Sequence, residues 1–235
     1  MTRPMDDPSG THDSGAAAMA PADAPVAADA LATADVRPSV AASATTAGAG
    51  PGPTTSLEVR VRHARAEDVP LIFENIGYWA SRGRMLVRPM QNIFENLRDF
   101  FVAEVDGDDG PVFAGNGALH VLWGDIAEVR GLAVAPGVQA KGVGRAIVKA
   151  TEDEARRVGI PVLFAWTYEV AFFEKCGFDL IDKTRDLHPR VWSECLRCPF
   201  YVGCNENGVV KRLEGVPMPR NLPEPPPAQV PPGIR

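Results

Sequence analysis

Between Val134 and Arg145 the chain reads Ala135-Pro136-Gly137-Val138-Gln139-Ala140-Lys141-Gly142-Val143-Gly144. Pro136-Gly137 stops the strand before it, and Gln139-x-x-Gly142-x-Gly144 stands where a helix opens. Glycine lets backbone approach a ligand closely. The first helical N–H groups have no intrahelical partner, and with the helix dipole they form an anion site suited to phosphates. The motif is not a Walker loop, because Gly-Lys-Ser/Thr is missing. Its spacing does not fit a dinucleotide fingerprint either. Taken alone, it reads equally well as a tight connector.

Just upstream, alternation over Ile126–Val134 places Glu128, Arg130, Leu132 and Val134 on one strand face. A carboxylate on an apolar face is costly unless it is paired or used. Two readings follow: a Glu128–Arg130 surface pair, or a general base that takes a proton from an ammonium group, through water. Arg88, Arg84 and Arg130 are candidate carboxylate binders, since guanidinium groups grip carboxylates in bidentate fashion; solvation is the alternative for each. Tyr168, just after an apolar strand, is a candidate proton donor or a wall residue. Cys195-x2-Cys198-x5-Cys204 is compact enough for thiolate–metal chemistry, with His188 or Cys176 as a fourth ligand. The favoured expectation is a structural or redox-sensitive cluster without metal. His120 reads as a strand residue with no visible partner.

The glycine block, followed in order by Phe172-Phe173-Glu174-Lys175-Cys176-Gly177-Phe178, resembles the GCN5-related N-acetyltransferase (GNAT) family over about residues 59–182. That family has strand–(Q/R)xxGx(G/A)–helix, then a strand, then a helix ending in (Y/F)-E-K-x-G-F. The resemblance implies acetyl-CoA as cosubstrate and no metal requirement. It implies a pyrophosphate on the amides of Gln139, Ala140, Lys141, Gly142, Val143, Gly144 and Arg145, with further cofactor contact along Leu132, Ala133 and Val134. A backbone N–H near Leu132 would stabilise the oxyanion. Two departures stand out: Ala140 replaces a common Gly, and Phe173 replaces a Tyr that often protonates the leaving thiolate.

Met85-Leu86-Val87-Arg88, Ala127-Glu128-Val129, Phe164 with Thr167, and the segment Leu187–Trp192 followed by Cys195-x-x-Cys198-Pro199 are similar to the short, single-domain N-acetylglutamate synthases. This implies glutamate as acceptor and a place at the entry of arginine biosynthesis. Arg88 alone matches the Leu-Val-Arg pattern, and Pro89 stands where a second Arg is common. Another amine acceptor, or a silent acyl-CoA-binding module, stays open. So does a homodimer.

The elements that must position these residues alternate. Strands are predicted at 57–64, 100–105, 112–123, 126–134, 162–166 and 178–182, and helices after Glu67-Asp68, over 90–97, over 142–158 and over 170–175. The order implies a mixed α/β fold; the resemblance adds a central, mostly antiparallel, twisted sheet flanked by helices.

Residues 1–56 are rich in Ala, Pro, Ser, Thr, Gly and Asp, with six Asp and two Arg, and show no apolar period. Ordering them would cost backbone entropy with little burial in return. Asp6, Asp7 and Asp13 interrupt the place where a signal peptide needs an apolar core. The expectation is a disordered tail on a cytoplasmic protein, then one domain over 57–213, then a Pro-rich tail over 214–235. The net charge of −6 argues against nucleic-acid backbone binding. No apolar run is long enough to span a membrane. The expected partners are small molecules, an amino acid and acetyl-CoA.

Overall fold

The computed structural model describes residues 58–183, 185–196, 198 and 203–226. The expected tail 1–56 lies outside the described residues, as does 227–235. The strands are β1 (Val59–His63), β2 (Phe100–Gly107), β3 (Gly110–Trp123), β4 (Ile126–Val134), β5 (Val162–Thr167), β6 (Asp179–Leu180) and β7 (Asn207–Arg212). The helices are α1 (Val69–Ala80), α2 (Met90–Glu95), α3 (Val143–Val158), α4 (Val170–Glu174) and α5 (Pro189–Cys195). One sheet runs in the order β1-β2-β3-β4-β5-β7-β6. Its pairs are antiparallel except β4–β5, as expected for the fold class.

The run Phe100-Phe101-Val102-Ala103 is apolar throughout because the sheet is covered on both faces. Phe100 and Val102 pack with Val69, Ile72, Ile76 and Ile93 of α1 and α2. Ala103 and Val105 pack with Val143 and Ile147 of α3. Asp108-Asp109 turns the β2–β3 hairpin, with Gly107 opposite Gly110. Helix α3 starts after Gly142 (φ 87°) and stops at Gly159 (φ 79°), with Arg156 and Arg157 in its last turn. These are left-handed conformations that favour glycine.

At the start of α1, Arg62 donates to both Asp68 oxygens at 2.7 and 2.9 Å, and the Arg65 amide adds a third bond at 2.7 Å. The Arg62 guanidinium, with the Arg65 amide, holds the Asp68 carboxyl below the usual carboxylate range against the opposing effect of burial.

Three features differ from the sequence expectation. Gly131 takes φ 61°, and the β3–β4 register shifts by one residue between Asn116 and Ala118. This bulge breaks the strict alternation. Arg130 stays opposite Ala118, in the α1-side cluster, while Leu132 and Val134 pack on the α3 side with Ile147. The four residues therefore do not share one face. Second, α5 and β7 carry no periodic signal in the sequence, yet β7 inserts antiparallel between β5 and β6. Third, part of the stretch read as the C-terminal tail packs. Val216 is buried, the Trp123 indole donates to the Pro223 carbonyl at 3.0 Å, and a Cβ on Gly124 would meet Leu222 at 2.4 Å.

Candidate active site

β4 and β5 pair only from Ile126↔Val162 to Glu128↔Phe164. β4 runs on to Val134 and β5 to Thr167 without further mutual pairing, so the strands part. A cavity of about 1500 Å³ lies at this opening. Its wall carries most of the residues singled out by sequence. From β4 come Glu128, Arg130, Leu132 and Val134. From the turn and the α3 start come Gln139, Ala140, Gly142, Val143, Gly144 and Arg145. Arg84, Arg88, Tyr168, Cys195, Cys198 and Cys204 complete the set. Ala133, Lys141 and His188 are not in this wall.

The turn is built from left-handed residues. Gly137 and Gly142 both have φ 87°, and Ala140 has φ 59°, a conformation that costs a Cβ-bearing residue. The Gly137 amide donates to the Gln139 side chain at 3.1 Å. Ala146 N donates to Gly142 O at 3.0 Å, the first α-type bond of α3. The amides of Val143, Gly144 and Arg145 precede it, and no side chain caps Gly142. Gly144 lets Phe172 close in; a Cβ there would sit 3.1 Å from its ring.

Glu128 and Arg130 are both largely buried, at 12% and 18% side-chain exposure. Arg130 Nε and Nη2 donate to Glu128 Oε2 at 2.8 and 2.5 Å. The pair anticipated on an exposed face thus sits inside the cavity wall. Arg84 forms an ion pair with Glu169, and both line the cavity. Arg88 Nη1 donates to Asn92 Oδ1 at 2.6 Å. His120 does have a partner, Asp99, at 2.8 Å.

Tyr168 is 36% exposed. Its hydroxyl is held above the usual phenol range by desolvation first, then by Glu206, Cys204 and Cys198. Burial pushes the Cys195 thiol up to about 12, with Cys204 and Glu128 adding to it. The four cysteines are free thiols. Among the described residues, no three His, Cys, Asp or Glu side chains come together in a way that could hold a metal ion. His188 instead faces Asp125, at 3.5 Å.

Sequence reasoning missed Glu206 and Lys183, both in the wall. Lys183 Nζ donates to the carbonyls of Cys204 and Glu206 at 2.9 and 3.2 Å. Burial, reinforced by Glu128, raises the Glu206 carboxyl above its usual range. A lone Glu in Asn205-Glu206-Asn207 offers no pattern by which to find it.

An uncharacterized N-acetyltransferase of Chlorobaculum tepidum is 34% identical over 154 residues, covering 65% of this chain and 96% of the relative. An amino-acid acetyltransferase of Mycobacterium tuberculosis is 38% identical over 124 residues, 53% of this chain and 70% of the relative. The model of the acetyltransferase (GNAT) family matches residues 67–178. The chain belongs to the GNAT family. Among solved GNAT-like structures, an M. tuberculosis protein in complex with CoA is 30% identical, with TM-score 0.57, over 66% of this chain and 99% of that one. N-acetylglutamate synthase from Neisseria gonorrhoeae, complexed with coenzyme A and N-acetyl-glutamate, is 26% identical with TM-score 0.57 and is matched over 35% of its length. This GNAT domain is an N-acetyltransferase that uses acetyl-CoA.

Proposed function

We propose that the protein transfers the acetyl group of acetyl-CoA to the α-amino group of L-glutamate, giving N-acetyl-L-glutamate and CoA. The observation that carries the reading is the charge of the cavity wall. Among the described residues, Arg84, Arg88, Arg130, Arg145, Lys175 and Lys183 face it against Glu128, Glu169 and Glu206. Six cations to three acids suit a dicarboxylate acceptor beside a polyanionic cosubstrate. An acceptor that is purely an amine would favour the opposite balance. The relatives named for amino-acid acetylation support the same class.

In this reading the pyrophosphate sits on the amides from Gln139 to Arg145 and the pantetheine arm lies between β4 and β5. The acceptor carboxylates meet Arg88, with Arg84 and Arg130 as further cations. The α-ammonium of an amino acid is protonated at neutral pH and must lose a proton before it can attack. Glu128, held in place by Arg130, takes that proton through water. The free amine adds to the thioester carbonyl, the Leu132 N–H steadies the oxyanion, and collapse expels the CoA thiolate. Tyr168, which keeps its proton across the neutral range, gives that proton to the thiolate. The reading places the protein at the entry of arginine biosynthesis and in the cytoplasm.

The test is the kinetics of Arg88→Ala. Loss of a carboxylate contact raises the KM for glutamate by about 10- to 100-fold and leaves the KM for acetyl-CoA in place. An unchanged glutamate KM removes Arg88 from the acceptor site.

A further inference from the structure

The bulged end of β4 is tied down by side chains that lie outside the glycine block and the Phe172–Phe178 block. Asn116 Nδ2 donates to the Gly131 carbonyl at 2.9 Å. Asn75 Nδ2 donates to Asn116 Oδ1 at 2.8 Å and to the Ala133 carbonyl at 3.0 Å. Trp79 Nε1 donates to the Val134 carbonyl at 2.8 Å. Both asparagines are buried. Asn75 Oδ1 is buried with no donor among the described residues, so packing alone gives no reason for an amide at this position. The flanking glycines make room for the arrangement: a Cβ on Gly115 would meet the Ala133 oxygen at 2.6 Å, and one on Gly117 would meet Ile147 at 2.5 Å.

A trans peptide points its C=O and the following N–H in opposite directions. Holding the Gly131 carbonyl toward β3 therefore turns the Leu132 N–H away from β3. The Ala135 amide donates to Ala114 O at 2.8 Å. The neighbouring Gly115–Val134 pair is then the non-bonded kind in the antiparallel ladder, and the Val134 N–H also turns away from β3. That is the edge where β5 has left β4.

We infer that Asn116, Asn75 and Trp79 are positioning residues for the cosubstrate: they clamp the carbonyls of Gly131, Ala133 and Val134 so that the Leu132 and Val134 amides face the acyl-CoA arm. The inference rests on the acyl-CoA reading of the cavity. It assigns these three side chains to the acetyl-CoA side of the reaction, not to the acceptor side.

The experiment uses the full chain. CoA affinity is measured by titration calorimetry, and the KM for acetyl-CoA and for glutamate by thiol release, in the parent, Trp79→Phe and Asn75→Leu. Glu152→Gln, which breaks an ion pair with Lys211 on the far half of α3, serves as the destabilised control. Trp79→Phe removes one N–H and keeps an aromatic ring, so it decides the matter if Asn75→Leu does not fold. The expected result is CoA binding weakened five- to tenfold in both clamp variants, acetyl-CoA KM raised in step, glutamate KM within twofold of the parent, and the control unaltered in CoA binding. Folded clamp variants that bind CoA as the parent does overturn the inference, as does a glutamate KM that rises in parallel. A parent with no CoA affinity instead overturns the reading of the cavity on which the inference stands.

Discussion

Arg130 turns back along its own strand onto Glu128, giving one carboxylate oxygen two guanidinium N–H bonds at 2.8 and 2.5 Å inside the cavity wall. The pair stands where β4 stops pairing with β5. A carboxylate held by a guanidinium in this way is restrained in its rotation, and both residues line the cavity. The relationship turns an ambiguous sequence feature into a candidate catalytic arrangement.

Glu128→Gln keeps size and hydrogen-bonding shape but removes the proton acceptor. The expected outcome is a fall in kcat of about 100-fold at pH 7. Raising the pH, which deprotonates more of the free amine in solution, recovers part of it. Stopped or continuous thiol-release assays between pH 7 and 9.5 check this. A Glu128→Gln profile that parallels the parent at every pH contradicts the role.

Asp68 gives a stability prediction. Its folded pKa lies below the unfolded value, chiefly because of Arg62. The contribution is complete at neutral pH and is lost as pH falls below about 4. Asp68→Asn is expected to lose roughly 2 kcal/mol at pH 7, and the difference from the parent narrows under acid. Urea unfolding at pH 7 and near pH ~2.5 measures both.

The turn before α3 gives a pair of opposite expectations. Ala140 occupies φ 59° and Gly142 φ 87°. Ala140→Gly relieves a left-handed alanine and raises the melting temperature by about 2 °C, while Gly142→Ala lowers it by about 3 °C. Calorimetric melting checks the two signs. If this turn binds the pyrophosphate as proposed, the Gly142→Ala variant is also expected to lose CoA affinity, because its new Cβ keeps the backbone from close approach.

Cys195 tests the thiol environment. With its thiol pushed up to about 12, almost none is thiolate at pH 8. Iodoacetamide labelling mapped by mass spectrometry is expected to be roughly a hundredfold slower there than for an unstructured cysteine peptide. Rapid labelling of Cys195 contradicts this environment and revives the redox-sensitive expectation for it.

Long periodic segments were legible in the sequence. The bounds of β4 match the alternation from Ile126 to Val134, and α3 matches the amphipathic run closed by Gly159. The α3 turn and Glu128 stood out because glycine spacing and a carboxylate in an apolar strand are local signals. Other features were hidden because their logic is tertiary. The Gly131 carbonyl is bonded by Asn116, which Asn75 bonds in turn, and these residues are far apart in the chain and meet only in the core. Strand β7 is short and half polar, and is specified by pairing with β5 on one side and β6 on the other. Glu206 enters the cavity wall only because β7 inserts there. The packing of Val216 and Leu222 was masked by a proline-rich composition that usually signals an unpacked tail.

The most direct test identifies the product. Purified full-length protein is incubated with acetyl-CoA and each of the twenty amino acids in turn, and N-acetylated products are quantified by mass spectrometry beside the CoA released. The account predicts stoichiometric N-acetyl-L-glutamate and CoA, with glutamate preferred over every other amino acid. A preference for an acceptor without a side-chain carboxylate, or no acetylated amino acid at all, contradicts it.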